Sequence, residues 1–128
     1  MNTTSFLLLR LAIGVSFFGH GLVRLPKLGG FSQWMVGAFA KSMLPRALVV
    51  PFSFLLPIAE FVIGILCIAG LFTGPALVGG CIVMILLILG CCLIENWEPI
   101  ASQLIHIAVL ALLLNFLTAN NWALDKLI

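Results

Sequence analysis

Charged residues are scarce in this sequence: they make up 8% of the 128 residues, whereas hydrophobic residues make up 63%. A soluble domain carries about 25% charged residues. The chain therefore has too little polar surface to cover an exterior that faces water, and lipid must be the solvent for much of it. The mean hydropathy of +1.31 agrees with this conclusion. The length suits one domain, so we expect a single transmembrane domain over residues 1–128.

Several signals of soluble function are also missing. The net charge of +2 is weak, and the basic residues are not interleaved with aromatic residues, which argues against a nucleic-acid partner. No phosphate-binding loop, nucleophile motif, or metal or haem spacing is visible, so we predict no metal site. The cysteines form no C-x-x-C pair, which is the usual redox signal. We interpret them as small buried apolar residues; they are Cys67, Cys81, Cys91 and Cys92.

The N-terminal apolar run does not resemble a cleaved signal peptide. No basic residue precedes the run, and Arg10 lies inside it. No small-x-small cleavage site follows before the chain becomes basic. We therefore predict that this first apolar segment is a retained helix.

Four apolar segments are candidates to cross a membrane, which requires about 20 mostly apolar residues. They extend approximately over residues 6–25, 49–72, 75–94 and 100–117. Helices are expected because an open sheet edge is not viable in lipid. The second and third connections are so short that the helices they join must be antiparallel. The predicted fold is an all-α membrane protein, a four-transmembrane-helix bundle. Because residues 75–94 carry no charge, we expect the third helix to face lipid or a partner subunit.

The connection between the first two apolar segments is different. Between Phe31 and Leu44, apolar residues recur at the spacing of one helix face; they are Phe31, Trp34, Met35, Ala38, Phe39 and Met43. This pattern predicts a short amphipathic helix between helices 1 and 2, with Gly29 and Gly30 as the hinge into it. The helix either lies in the lipid headgroup region or packs against the protein as a lid on the bundle.

The distribution of basic residues indicates an orientation. The connection between the first two segments carries four of them: Arg24, Lys27, Lys41 and Arg46. The opposite side has only Arg10 and Lys126. The positive-inside rule places the basic connection in the cytoplasm and both termini outside. The alternative is that the basic residues serve a site, since Glu95 and Glu98 lie on the same side.

Ionisable residues within the apolar segments are expensive in a membrane, so each is a candidate functional residue. At about 1.5 Å per residue, His20, Glu60 and His106 lie roughly 8, 16 and 9 Å below the same membrane face. Arg24 follows His20 by four residues and shares its helix face. Gln103 precedes His106 by three. These residues predict a proton-carrying or ligand-binding pocket, for example for a quinone head group. The alternative is hydrogen bonding between helices, with Glu60 either protonated or paired with Arg24.

The order of these features resembles the DoxX family of small bacterial four-helix membrane proteins. Three stretches carry the resemblance: Leu8-Leu9-Arg10-Leu11 leading to Gly19-His20-Gly21-Leu22, Arg24 and Lys27; Gly30-Phe31 through Leu44-Pro45; and Pro57-Ile58-Ala59-Glu60-Phe61 followed by Gly64, Gly70 and Leu71-Phe72-Thr73. The resemblance covers roughly residues 8–94. It implies a multi-pass protein of the bacterial plasma (inner) membrane.

The resemblance also implies a function and a residue set. Some family members are described as membrane subunits of sulfur-compound or thiol redox systems linked to quinone. The family pattern maps its polar residues onto His20, Lys27 and Glu60. We therefore expect a redox-complex subunit with a quinone- or lipid-like ligand, whose partner is another membrane protein or a second copy. The alternatives are a non-enzymatic anchor or assembly partner and a small-solute transporter. The missing C-x-x-C leaves the place of any redox chemistry open.

Overall fold

The computed structural model describes residues 1–127, which form helices and no strands. The α-helices are α1 (Thr3–Arg24), α2 (Leu28–Ala38), α3 (Arg46–Ala69), α4 (Thr73–Leu93) and α5 (Ile100–Asn115). Short 3-10 turns cover Leu25–Lys27, Leu117–Ala119 and Leu124–Lys126. The all-helical prediction is confirmed for this part of the chain.

The four long helices pack in a ring. α1 contacts α3 and α5, α4 contacts the same two helices, and α2 lies on α3. Fully buried apolar side chains fill the centre, among them Phe6, Phe17, Leu77 and Leu110. The outer faces also carry apolar side chains, and α4 exposes Val78, Ile82, Ile85 and Leu89. An apolar exterior around an apolar core is the arrangement expected of a protein that lipid surrounds.

Three helical stretches are long and apolar enough to cross a membrane: Thr3–Ala38, Arg46–Ala69 and Thr73–Leu93. The fourth apolar helix, α5, has only 16 residues. It ends at Asn115, two residues before the predicted end, and a 3-10 turn then continues over Leu117–Ala119.

Two glycines allow α1 and α3 to touch along their backbones. A Cβ atom on Gly21 would lie 2.6 Å from the backbone nitrogen of Phe61, and one on Gly64 would clash with the backbone of Phe18. Any larger residue would force the helices apart. This close contact brings the last turn of α1, which ends in Arg24, beside the middle of α3, which carries Glu60.

The predicted hinge at Gly29 and Gly30 is wrong. Both glycines lie inside the first turn of α2, which begins at Leu28. The chain changes direction earlier, in the 3-10 turn that contains Pro26, and the backbone of Lys27 leaves the helical region at φ −125° and ψ 31°. The fixed ring of proline suits such a turn.

The amphipathic helix between helices 1 and 2 is present but shorter than predicted at its C-terminal end, because α2 stops at Ala38. Its inner face packs against the protein. Met35 is buried, and the hydroxyl groups of Ser32 on α2 and Ser53 on α3 are hydrogen bonded at 2.7 Å. These contacts favour the lid alternative, in which α2 covers one end of the helix ring.

Candidate functional site

A cavity of about 250 Å³ lies beneath α2, at the end of the ring where α1 ends and α5 begins. Its lining is mainly apolar but includes ionisable side chains, and we call it the polar cavity for that reason. Five of the six candidate residues line it: His20, Arg24, Glu60, Gln103 and His106. The sixth, Lys27, is exposed and is not part of the lining, so the structure does not place it with the others.

Arg24 and Glu60 form an ion pair in the cavity wall. Arg24 Nη1 lies 3.1 Å from Glu60 Oε1 and 3.3 Å from Oε2. The Glu60 side chain is 3% exposed, whereas that of Arg24 is 31% exposed. The guanidinium therefore reaches inward from the edge of the ring, and its central carbon lies 4.7 Å from the centroid of the Phe31 ring. Of the two structural alternatives for Glu60, the geometry favours pairing over protonation. A buried carboxylate is costly unless such a partner is present.

The two histidines share one local arrangement. His20 Nδ1 lies 2.6 Å from the carbonyl oxygen of Ser16, and His106 Nδ1 lies 2.8 Å from that of Ser102. A carbonyl oxygen only accepts, so each Nδ1 carries a proton and donates. In a neutral imidazole, Nε2 is then the acceptor. The hydrogen bonds to the preceding turn thus fix the tautomer and the ring orientation of both residues.

The remaining ring nitrogens differ between the two histidines. Ser16 Oγ lies 2.7 Å from His106 Nε2 and donates to it, so both nitrogens of His106 are engaged. His20 Nε2 has no hydrogen-bond partner within residues 1–127. The two rings are close, with centroids 6.5 Å apart in an edge arrangement. Of the two histidines, His20 is therefore the one with a ring nitrogen that is not already engaged by the described part of the protein.

Gln103 lies on the α5 side of the cavity. Its Nε2 is 3.6 Å from Cys91 Sγ, a weak acceptor, and its Oε1 is buried without a partner among residues 1–127. Cys91 and the other three cysteines are free thiols. Within residues 1–127, no group of three or more His, Cys, Asp or Glu side chains is arranged to hold a metal ion.

Aromatic side chains from α2 and from the residue that follows it cover the cavity. Phe31 and Trp34 stack with ring centroids 5.9 Å apart and an interplanar angle of 24°. Both line the cavity, as does Phe39, which follows the last residue of α2. The lining thus combines flat apolar rings with hydrogen-bonding groups, a combination typical of small-molecule sites.

A second cavity, of about 280 Å³, adjoins the first and is lined only by apolar residues. The two cavities share five residues of their linings: Met35, Phe39, Phe52, Leu86 and Gly90. The two cavities are therefore neighbours, and the apolar one lies between α2, the first half of α3 and the second half of α4.

A second polar cluster lies at the opposite end of the ring, and the sequence reasoning did not predict it. Arg10 is buried, and its Nη1 donates to Asn120 Oδ1 at 2.7 Å. Asn120 Nδ2 donates to Thr73 Oγ1 at 3.1 Å. Asp125 accepts the backbone N–H groups of Phe72 and Thr73, at 2.6 and 2.9 Å. The C-terminal segment is thereby fastened across the turn between α3 and α4.

The sequence reasoning also missed Ser16, which bonds to both histidines. The available signal was a polar residue one helical turn before His20. Asn120 and Asp125 gave a weaker signal, because their partners are 47 or more residues away in the sequence.

Comparison with protein families agrees with the resemblance that the sequence suggested. The DoxX family model matches residues 5–92, which include α2, α3, nearly all of α1 and α4, and the residues His20, Arg24 and Glu60. Gln103 and His106 lie outside the matched range. Comparisons with curated proteins and with solved structures give no match. Since the matched range covers more than half of the chain and the helices are apolar, the protein is an integral membrane protein that belongs to the DoxX family.

Proposed function

We propose that this protein is a four-span subunit of a redox complex in the bacterial plasma membrane and that its polar cavity binds the head group of a quinone. One observation carries the proposal. A cavity within an apolar helix ring brings together an ion pair, a histidine with an open Nε2 and a cover of aromatic rings. A quinone ring needs these three partners: a donor for its carbonyl oxygens, a proton-exchanging group and a flat apolar surface.

The residues divide these tasks. Arg24 keeps donors beyond its contact with Glu60 and can donate to a quinone oxygen. Glu60 holds the guanidinium in place. His20 exchanges a proton through Nε2, while Ser16 and His106 fix its surroundings. Reduction of a quinone consumes two electrons and two protons; the electrons come from the partner subunit, and this chain supplies binding and a route for protons.

The proposed bundle has four spans, with α5 as the fourth. At about 1.5 Å per residue the 16 residues of α5 cover roughly 24 Å, and the following 3-10 turn extends this length. Local thinning of the bilayer can accommodate the difference from a core of about 30 Å. Both termini then share one side, and the exposed apolar face of α4 contacts lipid, another membrane protein or a second copy. Reporter fusions at residue 1 and after residue 128 test the topology; opposite locations would exclude four spans.

Arg24 and Lys27 offer a matched pair of variants for the ligand site. Both are basic and lie three residues apart, but only Arg24 lines the cavity. We expect Arg24→Gln to weaken binding of a benzoquinone probe to the purified protein in nanodiscs by about tenfold, the loss of one charge-assisted hydrogen bond. Lys27→Gln should bind as the wild type does. Equal affinities for all three proteins would contradict a head-group site at Arg24.

Purification from the native membrane tests the role in a complex. We expect quinone and an electron-transfer protein to co-elute, both identified by mass spectrometry. A stoichiometric protein without quinone would instead favour the anchor or assembly alternative.

A further inference from the structure

We propose that the apolar cavity is a binding site for the hydrocarbon chain of the same quinone, so that the protein selects chain-bearing quinones over free head groups. This inference rests on the proposed function, because the chain can occupy the apolar cavity only if the head group lies in the polar one.

The junction between the cavities supports one ligand that spans both. Gly90 of α4 and Phe39 lie in both linings. A Cβ atom on Gly90 would come within 3.1 Å of Phe39 Cζ, which is closer than ordinary van der Waals contact. The Phe39 ring therefore packs directly against α4 at residue 90, and any passage between the two cavities runs beside this contact.

The apolar lining determines the chemistry of the occupant. Besides the five shared residues, it consists of Leu44, Leu48, Val49 and Leu89. None of these side chains donates or accepts a hydrogen bond, so a sugar, a peptide or a charged group would lose its own hydrogen bonds there. A saturated or isoprenoid hydrocarbon chain loses none.

The apolar cavity also opens towards the outer surface of the helices. Leu48 is 61% exposed and Leu89 is 53% exposed, and they flank the cavity on α3 and α4. In the membrane, these side chains face lipid. A quinone could therefore enter sideways from the bilayer, with its head group moving into the polar cavity and its chain following.

The gain from the chain is expected to be modest. Lipid is as apolar as the cavity, so transfer of the chain from lipid contributes little hydrophobic free energy. The preference must come from van der Waals contacts in the cavity. An increase in affinity of about tenfold for the chain-bearing probe is the size that such contacts can supply.

Two probes and two matched variants test the inference. The probes are dimethoxy-methyl-benzoquinone without a chain and its decyl derivative, titrated into nanodiscs with concentrations expressed per lipid.

Val49→Phe adds bulk at a buried residue of the apolar cavity. Val62→Phe makes the same change on the exposed face of α3, outside both cavities. We expect Val49→Phe to remove about tenfold of the affinity for the decyl probe and to leave the chainless probe bound, while Val62→Phe changes neither.

The outcomes separate the two proposals. Chainless binding without any preference for the decyl probe would overturn the chain site but leave the head-group site intact. If neither probe binds the wild type, the proposed function itself fails. Displacement of the decyl probe, but not of the chainless probe, by a short-chain phosphatidylglycerol would assign the apolar cavity to a phospholipid and overturn the inference. Gly90→Leu is a second test in case the Val49 variant misfolds. It should also abolish the preference for the decyl probe over the chainless one, and an unchanged preference would contradict a passage beside residue 90.

Discussion

α1 carries an arginine in each of two polar clusters, and the two clusters differ in whether the chain fills the space beside the arginine. Neither cluster is fully hydrogen bonded, because Arg10 Nε and Gln103 Oε1 are buried without a partner among residues 1–127. Arg10 and Arg24 are 14 residues apart, or roughly 21 Å along the helix. At Arg10, the C-terminal segment fills the space. Asn120 accepts a hydrogen bond from Arg10 and donates one to Thr73. At Arg24, a cavity of about 250 Å³ remains beside the ion pair. The presence of a cavity therefore distinguishes the Arg24 cluster from the Arg10 cluster, and we call them the open and the closed cluster.

The closed cluster holds the chain together, whereas the open cluster is the proposed ligand site. Changes at the closed end should therefore lower stability and spare ligand affinity in the folded fraction. Changes at the open end that do not leave the Glu60 carboxylate buried and unpaired should lower affinity and spare stability.

The largest effect on stability is expected from Asn120→Leu. The substitution leaves Arg10 Nη1 without its acceptor and Thr73 Oγ1 without its donor, and the expected cost is about 3 kcal/mol. Thermal unfolding in detergent and abundance in the membrane measure it. Asn121→Leu is the matched control, because Asn121 is exposed and its side chain bonds only to Thr3 at 2.8 Å. Equal losses of stability in the two variants would show that the buried hydrogen bonds of Asn120 contribute no more than the exposed one of Asn121.

Glu60→Gln should have the opposite profile at the open end. Glutamine keeps the size and hydrogen bonding of Glu60 but not the negative charge that holds Arg24 in position. We expect normal membrane abundance, a loss of quinone affinity of about tenfold and loss of activity in a complemented deletion strain. Glu60→Leu should also remove activity and can even stabilise the ring, because replacing a buried ionic group by an apolar one is often favourable. Full activity of the Gln variant at normal abundance would make Glu60 a purely structural residue.

The lid should loosen when its aromatic contacts are removed. Trp34 and Phe39 line the cavity, and Phe39 also packs against the buried core. The double change to serine should therefore increase tryptic cleavage in the connection that carries Lys41 and Arg46, measured in closed vesicles or nanodiscs. Serine at Leu104 and Ile105, two exposed apolar residues of α5, is the control. Unchanged cleavage would show that α2 does not depend on these rings for its position.

The sequence predicts much of the helix ring, and the reason is physical. Long apolar runs must become helices in lipid, so α1, α3 and α4 follow from composition and length. The grouping of His20 and His106 follows from their similar depth below one face. Glu60 lies deeper, and the long side chain of Arg24 reaches it. Whether these residues bind a ligand is still a prediction.

The remaining features depend on contacts between distant residues. Arg10 is visible in the sequence as a charge in an apolar run. Nothing nearby indicates that it donates a hydrogen bond to Asn120, which is 110 residues away. The hinge was misplaced because Gly29 and Gly30 suggest flexibility, whereas Pro26 had already made the turn. The cavity itself depends on side-chain packing among five helices, which periodicity does not describe.

The smallest predicted effect concerns Asp125, which caps the N-terminus of α4 from the C-terminal segment. Phe72 is the residue before α4 and has a left-handed backbone with φ 48° and no side-chain cap of its own. Burial raises the pKa of Asp125, but the hydrogen bonds from Thr73 and Phe72 and the positive charge of Arg10 lower it more, so the net pKa lies below the usual value. The folded pKa is thus below the unfolded one of about 3.9, and the stabilisation is complete above that value and lost as the pH falls through the folded pKa.

Asp125→Ala should cost about 1 kcal/mol near neutral pH, the usual effect of losing a helix cap. The difference in stability between the wild type and this variant, followed by unfolding from pH 7 to pH 3, should be constant down to about pH 5 and then shrink. Glu98→Gln, at an exposed site beyond the other end of α4, controls for the loss of one negative charge. A difference that stayed constant down to pH 3 would show that the Asp125 carboxylate does not provide the cap.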